Sequence, residues 1–341
     1  MDRRKFIGHA SVGLAGLWSL PALASGEKEV FGHNDKKYRI DTKWSRADVA
    51  RYPVNDCHEM VQDSKGRIIL LTNETRNNVL VYDRSGKILT SWGTSYPGAH
   101  GLTLFNENGK DVLFICDNNR HQVIKTTIDG KELMVLDYPR ESGVYEKAEE
   151  YVPTETAIAP NGDIYVADGY GKDYIIQYDS RGKYIRHFGG RGQQDRQLVN
   201  AHGVCIDSRN GEPVLMVTSR MQNAFKRFKL NGDYIDTIAL PGAWVCRPVV
   251  HGNYLYAAVL QSESLQGKQS GFITILDKNN KVISNPGGTQ PEYESGKLKA
   301  MTQEEKIFQY PHDVCVDNDE NLYVAQWNSG KVYPYKLTPV T

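Results

Sequence analysis

One unit of roughly 45 residues recurs six times along this chain, and nothing else in the sequence narrows its fold so far. In the clearest copy, Pro153 to Asp168 reads as a short strand, an Asn161-Gly162 turn and a second strand. Ile175 to Asp179 then supplies a third strand and Lys183 to Gly189 a fourth. The same order of elements restarts near Glu59, His100, His202, Arg247 and His312, with the extra length held in insertions at 139–150, 189–198, 261–270 and 285–307. Four short strands repeated in this way describe the blades of a radial all-β ring, so the expected fold is a six-bladed β-propeller. The last unit offers only three strands before the chain ends, while Lys37 to Asp41 is an orphan strand ahead of the first unit. That orphan is expected to complete the last blade, because closure removes the sheet edges that would otherwise pair with other chains.

Closure makes 37–341 a single domain, although 341 residues alone would suggest two. With 40% hydrophobic residues the chain can bury a large core, which excludes a disordered segment. Its 41 basic and 41 acidic side chains leave no surplus to neutralise phosphates, so nucleic acid is not an expected partner. The first residues read as an address. Arg3-Arg4-Lys5 precedes the short apolar run Gly13 to Leu20 and then Pro21-Ala22-Leu23-Ala24. Residues 1–24 are therefore expected to be a signal peptide read by the twin-arginine export machinery, with 25–36 a linker. That route carries folded proteins and delivers them to the periplasm or outside the cell. No further stretch approaches a membrane span, and a monomer is expected.

Five cysteines, none in a C-x-x-C pair, do not make a disulfide framework, and Cys205 and Cys315 lie in apolar runs where thiols pack as small hydrophobes. The histidines carry more information. His100, His202 and His312 stand where the chain enters the innermost strand of alternate units, so a six-fold ring brings all three toward one axial point. Three imidazoles with an open fourth position suit catalytic zinc, and iron or another divalent ion is compatible with the same donors. The alternative is that they are repeat residues holding turn backbone. His58 stands one step out of register with His100, with a place facing the channel as its other reading, and His121, His187 and His251 read as surface or turn residues.

The repeats resemble NHL repeats. The fuller pattern is similar to the catalytic domain of peptidyl-alpha-hydroxyglycine alpha-amidating lyases. It includes Ala99-His100-Gly101-Leu102, Ala167-Asp168-Gly169-Tyr170, Ala201-His202-Gly203-Val204, Val217-Thr218-Ser219-Arg220 and Tyr310-Pro311-His312-Asp313-Val314. The resemblance implies a metal on the three histidines, Tyr170 as base and Arg220 beside it. It also implies a structural calcium held by Asp313 and the backbone carbonyls of Leu102 and Met60; a capped turn is the other reading of Asp313. The implied reaction splits the carbon–nitrogen bond of a carbinolamide into an amide and glyoxylate.

Two departures fall on the substrate pocket. Asn73 stands where the family has an arginine, and Tyr310 where it has a methionine. Arg247 is a candidate replacement cation that would clamp a substrate carboxylate, unless its side chain faces away from the channel. The expected function is thus an exported metal-dependent lyase acting on an α-hydroxyglycine-type amide or a related small hydroxy-acid derivative. The alternatives are a gluconolactonase-like hydrolase and a noncatalytic NHL scaffold that binds peptide or glycan.

Overall fold

The computed structural model describes residues 29–340. The export signal expected over 1–24 lies outside the described residues. Six sheets stand around one axis, and the helical content among the described residues is four short 3-10 turns. Blade 1 comprises Cys57–Gln62, Ile68–Thr72, Val79–Tyr82 and Ile88–Trp92, paired in that order, each antiparallel to the next. Blades 2 to 5 repeat the plan and begin with inner strands Ala99–Glu107, Glu155–Ile158, Val204–Asp207 and Ala243–His251.

The burial pattern explains why the middle strands read as unbroken apolar runs. A propeller blade is covered on both faces, so every residue of a middle strand is buried whichever way it points. In blade 1, Ile69, Leu71, Val79 and Val81 pack against blade 2, while Ile68, Leu70, Leu80 and Tyr82 pack against blade 6. Corresponding apolar clusters fill the other four junctions of the ring. Outer strands have a solvent edge and alternate instead, as Tyr234–Ala239 does.

The ring closes as expected, with one addition. Blade 6 consists of Pro311–Val316, Leu322–Gln326 and Tyr335–Pro339 from the end of the chain, followed by Lys36–Asp41 from its beginning. Sequence alone treats 25–36 as a linker, but Val30–His33 pairs with Lys36–Asp41 as a fifth strand. The short hairpin lets this strand dock on the 282–285 segment, where the His33 amide donates to Ser284 Oγ and the Asn285 amide to His33 Nδ1. The insertions add surface structure, including the hairpin Tyr293–Glu294 with Lys297–Leu298.

Candidate functional site

The six inner strands bring two tiers of residues to the channel. One tier reads, blade by blade, His58, His100, Thr154, His202, Cys246 and His312, and the next reads Glu59, Gly101, Glu155, Gly203, Arg247 and Asp313. The side-chain-bearing residues of both tiers are buried. β-Bulges build these tiers. Pairing in blade 1 jumps from Cys57–Thr72 to Glu59–Leu71, and in blade 6 from Pro311–Gln326 to Asp313–Ala325, which leaves His58 and His312 outside the ladder. Blade 2 skips His100 and Gly101 in the same way, and blade 5 skips Cys246 and Arg247. A bulge bends the strand and re-aims the skipped side chain, here toward the axis. The glycines of the second tier are required by close approach. A Cβ on Gly203 would lie 2.6 Å from Arg247 Cα, and one on Gly101 would lie 2.5 Å from the Thr154 carbonyl oxygen.

The first tier holds four imidazoles. His100 and His312 lie with ring centroids 4.8 Å apart, His202 lies 4.8 Å and 4.9 Å from those two, and His58 lies 4.9 Å from each of them. His100, His202 and His312 therefore converge as their spacing implies, but His58 is not out of register. It occupies the same tier, across the ring from His202. One ring nitrogen from each of His58, His100 and His312 lies within 4.8 Å of the others, so His58 belongs among the potential ligands. The signal for it was present in the sequence: His58-Glu59-Met60 repeats His312-Asp313-Val314 position for position.

These nitrogens suit a metal. Burial pushes His58 down to about 3 and holds His100, His202 and His312 well below the usual imidazole range, so all four are neutral and carry a free lone pair. Nδ1 of His100 faces the Thr154 carbonyl at 2.8 Å and Nδ1 of His312 faces the His58 carbonyl at 3.0 Å. A carbonyl can only accept, so Nδ1 holds the proton in both rings and Nε2 carries the lone pair available to a metal, oriented from behind as in metal-binding histidines. Nδ1 of His58 and Nδ1 of His202 are buried without a hydrogen-bond partner. Such orphaned nitrogens fit a bound divalent ion.

Tyr170 reaches this tier from the loop after Ile164–Ala167. Its hydroxyl lies 3.2 Å from His100 Nε2 and 3.0 Å from His202 Nε2. Because His100 Nε2 carries no proton, the phenol donates to it, and His202 completes the chain by donating through Nε2. Asp168 holds the loop: its carboxylate accepts from the Tyr145 hydroxyl and from the amides of Val152 and Lys172. Burial raises Asp168 to about 6 against these hydrogen bonds. Tyr170 as a residue is 43% exposed, while its hydroxyl end points into the channel. Burial of that end raises the phenol above its ordinary value, and the positive charge of Arg220 offsets part of the rise. Arg220 is buried and donates to the Val245 carbonyl and to Cys246 Sγ. A cavity of about 450 Å³ opens over His58 and His100, with Tyr170, Asn73, Asn119 and Trp327 among its other walls. Asn73 lines this cavity, bonded to Asp56 and Asn55.

Arg247 does not reach this pocket, and its expected role as a substrate clamp is corrected. Its guanidinium lies one tier below, buried, and grips Asp313 through Nε at 3.0 Å and Nη2 at 2.8 Å. Nη1 donates to the Leu102 carbonyl at 2.9 Å and Nη2 to the Met60 carbonyl at 3.0 Å. Asp313, Leu102 and Met60 do converge, but on a guanidinium. Those donors are already bonded, so the residues present do not fit the calcium that the resemblance implies.

The fold and the axial imidazoles define a class: a six-bladed β-propeller with a candidate metal centre in its channel. The family model DUF5128, described as a 6-bladed beta-propeller, matches residues 157–338, and the chain belongs to that family. Peptidyl-alpha-hydroxyglycine alpha-amidating lyase 1 of Drosophila melanogaster is 26% identical over 269 residues, covering 74% of this chain and 47% of its own length. A probable lyase of the same name from Caenorhabditis elegans is 29% identical over 159 residues, covering 42% of this chain and 43% of its own. The chain spans less than half the length of these relatives. Among solved structures, a streptogramin B lyase superposes with TM-score 0.57 at 12% identity over 88% of this chain and 97% of its own. A gluconolactonase of Xanthomonas campestris gives 0.58 at 12% over 91% and 97%. These two likenesses establish the fold alone.

Proposed function

We propose that this chain is an exported, metal-dependent lyase that cleaves the carbon–nitrogen bond of an α-hydroxyglycine-type amide or a related small hydroxy-acid derivative. The observation that carries the reading is the Tyr170 hydroxyl within hydrogen-bonding distance of two axial imidazoles, at the floor of an open pocket and within the field of Arg220. His100 and His312, with His58 and His202 beside them, would hold the ion. A divalent transition ion there supplies Lewis acidity to a substrate hydroxyl and positive charge beside the Tyr170 phenol.

The remaining work falls to the chain. Tyr170, as phenolate, takes the α-hydroxyl proton; a carbon–oxygen double bond forms as the carbon–nitrogen bond breaks, and its electron pair leaves on the amide nitrogen, which is then protonated. The products are the amide and glyoxylate. Arg220 stabilises the phenolate, and Asp168 fixes the loop that aims it. A gluconolactonase-like hydrolase is less well supported, because the channel carboxylates are turned toward Arg247 rather than the pocket. A noncatalytic scaffold gives no reason for four neutral buried imidazoles at one point. The test is to load the purified chain with zinc, iron or manganese, supply α-hydroxyglycine amides and measure glyoxylate. Release that requires both metal and Tyr170 supports the assignment; no release with any metal would refute it.

A further inference from the structure

The second tier of the channel contains three carboxylates, Glu59, Glu155 and Asp313, and one cation, Arg247. The guanidinium extends from blade 5 across the axis and meets groups from four other blades. Beyond its bonds to Asp313, Leu102 and Met60, it lies 3.7 Å from Glu59 Oε2 and 3.6 Å from Glu155 Oε2. Each carboxyl group is anchored in turn, and burial with Glu155 alongside raises Glu59 well above the usual carboxylate range. Asp313 Oδ2 accepts from the Met60 amide, Glu59 Oε2 from the Leu102 amide, and Glu155 Oε1 from Thr103 Oγ1 and the Thr156 amide. Gly101 and Gly203 leave the space that lets the backbones of neighbouring inner strands pack at this radius.

We infer that the Arg247 guanidinium is the resident cation of this channel and holds the propeller's inner strands together without calcium. The coordination chemistry supports the exchange. Two carbonyls and a carboxylate around an axial point are hard oxygen donors of the kind that hold calcium. A planar guanidinium satisfies the same oxygens by directed hydrogen bonds, two of them to a single carboxylate. The cation is delivered by the chain itself, so closure does not depend on an ion from solution. The side chain also separates the imidazole pocket from a second cavity of about 410 Å³ at the opposite mouth, whose walls include Arg247, Met60 and Thr103.

The test begins with the unmodified protein. After dialysis against EGTA, elemental analysis should find far less than one calcium per chain, and the melting temperature should not move when millimolar calcium is returned. Arg247→Met should lower the melting temperature by about 10 °C, since it leaves buried carboxylates without their cation. Added calcium should restore part of that loss in the variant only, and Arg247→Lys should fall between the two. One calcium per chain in the wild type, with a melting temperature that falls on chelation, would overturn the inference. So would an Arg247→Met protein that melts like the wild type. If the variants do not fold, the chelation experiment on the wild type still decides.

Discussion

The Tyr170 hydroxyl lies 3.0 Å from His202 Nε2, although the two residues belong to different blades. The loop of blade 3 that carries Tyr170 is tied to blade 4 by Asn200 Nδ2, which donates to the Gly169 carbonyl at 2.9 Å. Tyr170→Phe should keep the fold and the metal and lower glyoxylate release by at least about 100-fold, since only the ionisable hydroxyl is removed. Turnover within threefold of wild type, with normal metal content, would assign the proton transfer elsewhere.

The four imidazoles are not equivalent. His100 and His312 each lie against the other three, mostly edge to face, whereas His58 and His202 stand in opposite blades. His100→Ala and His312→Ala should abolish stoichiometric metal binding. His58→Ala and His202→Ala should each weaken it, by roughly 10- to 100-fold or more. Metal titration followed by elemental analysis checks this, and a His58→Ala protein with unchanged affinity would restrict the site to His100, His202 and His312.

Acid should act through the same cluster. His58 has a folded-state value of about 3, below the 6.5 of an unfolded imidazole, because burial disfavours its charged form. Its contribution to stability is therefore complete above pH 6.5 and is lost as pH falls toward 3, at about 1.4 kcal/mol per pH unit. In chelator, His58→Asn should show a shallower fall than wild type over that window. Urea denaturation at several pH values measures the difference, and parallel curves would contradict the buried neutral state.

Gly203→Ala should destabilise the ring by about 2 kcal/mol or more, because the added Cβ meets the backbone of Arg247, which cannot rotate away. A thermal melt unchanged within 1 °C would show that the second tier is looser than its geometry.

Export can be examined in living cells. Replacing Arg3 and Arg4 together by lysine should leave uncleaved precursor in the cytoplasm, as detected by fractionation. Normal export in a strain without the twin-arginine translocon would exclude that route.

The ring itself was legible in the sequence because each blade must present the same strand, turn and apolar run to build the same interface. Repetition at a fixed interval is therefore a direct record of architecture. His100, His202 and His312 were legible for the same reason, since equivalent positions in a closed ring share an axis. The sequence leaves His58 between two readings, although His58-Glu59-Met60 matches His312-Asp313-Val314, and matching bulges at His58 and His312 decide for the channel. The role of Arg247 could not be read from sequence. Its partners Met60, Leu102 and Asp313 come from three other blades and meet it only because the channel is a few ångströms wide. The sequence by itself determined the blades, their closure and the residues offered to the axis. Tertiary structure decided which of those residues face the substrate pocket and which neutralise one another beneath it, because that depends on distances across the channel.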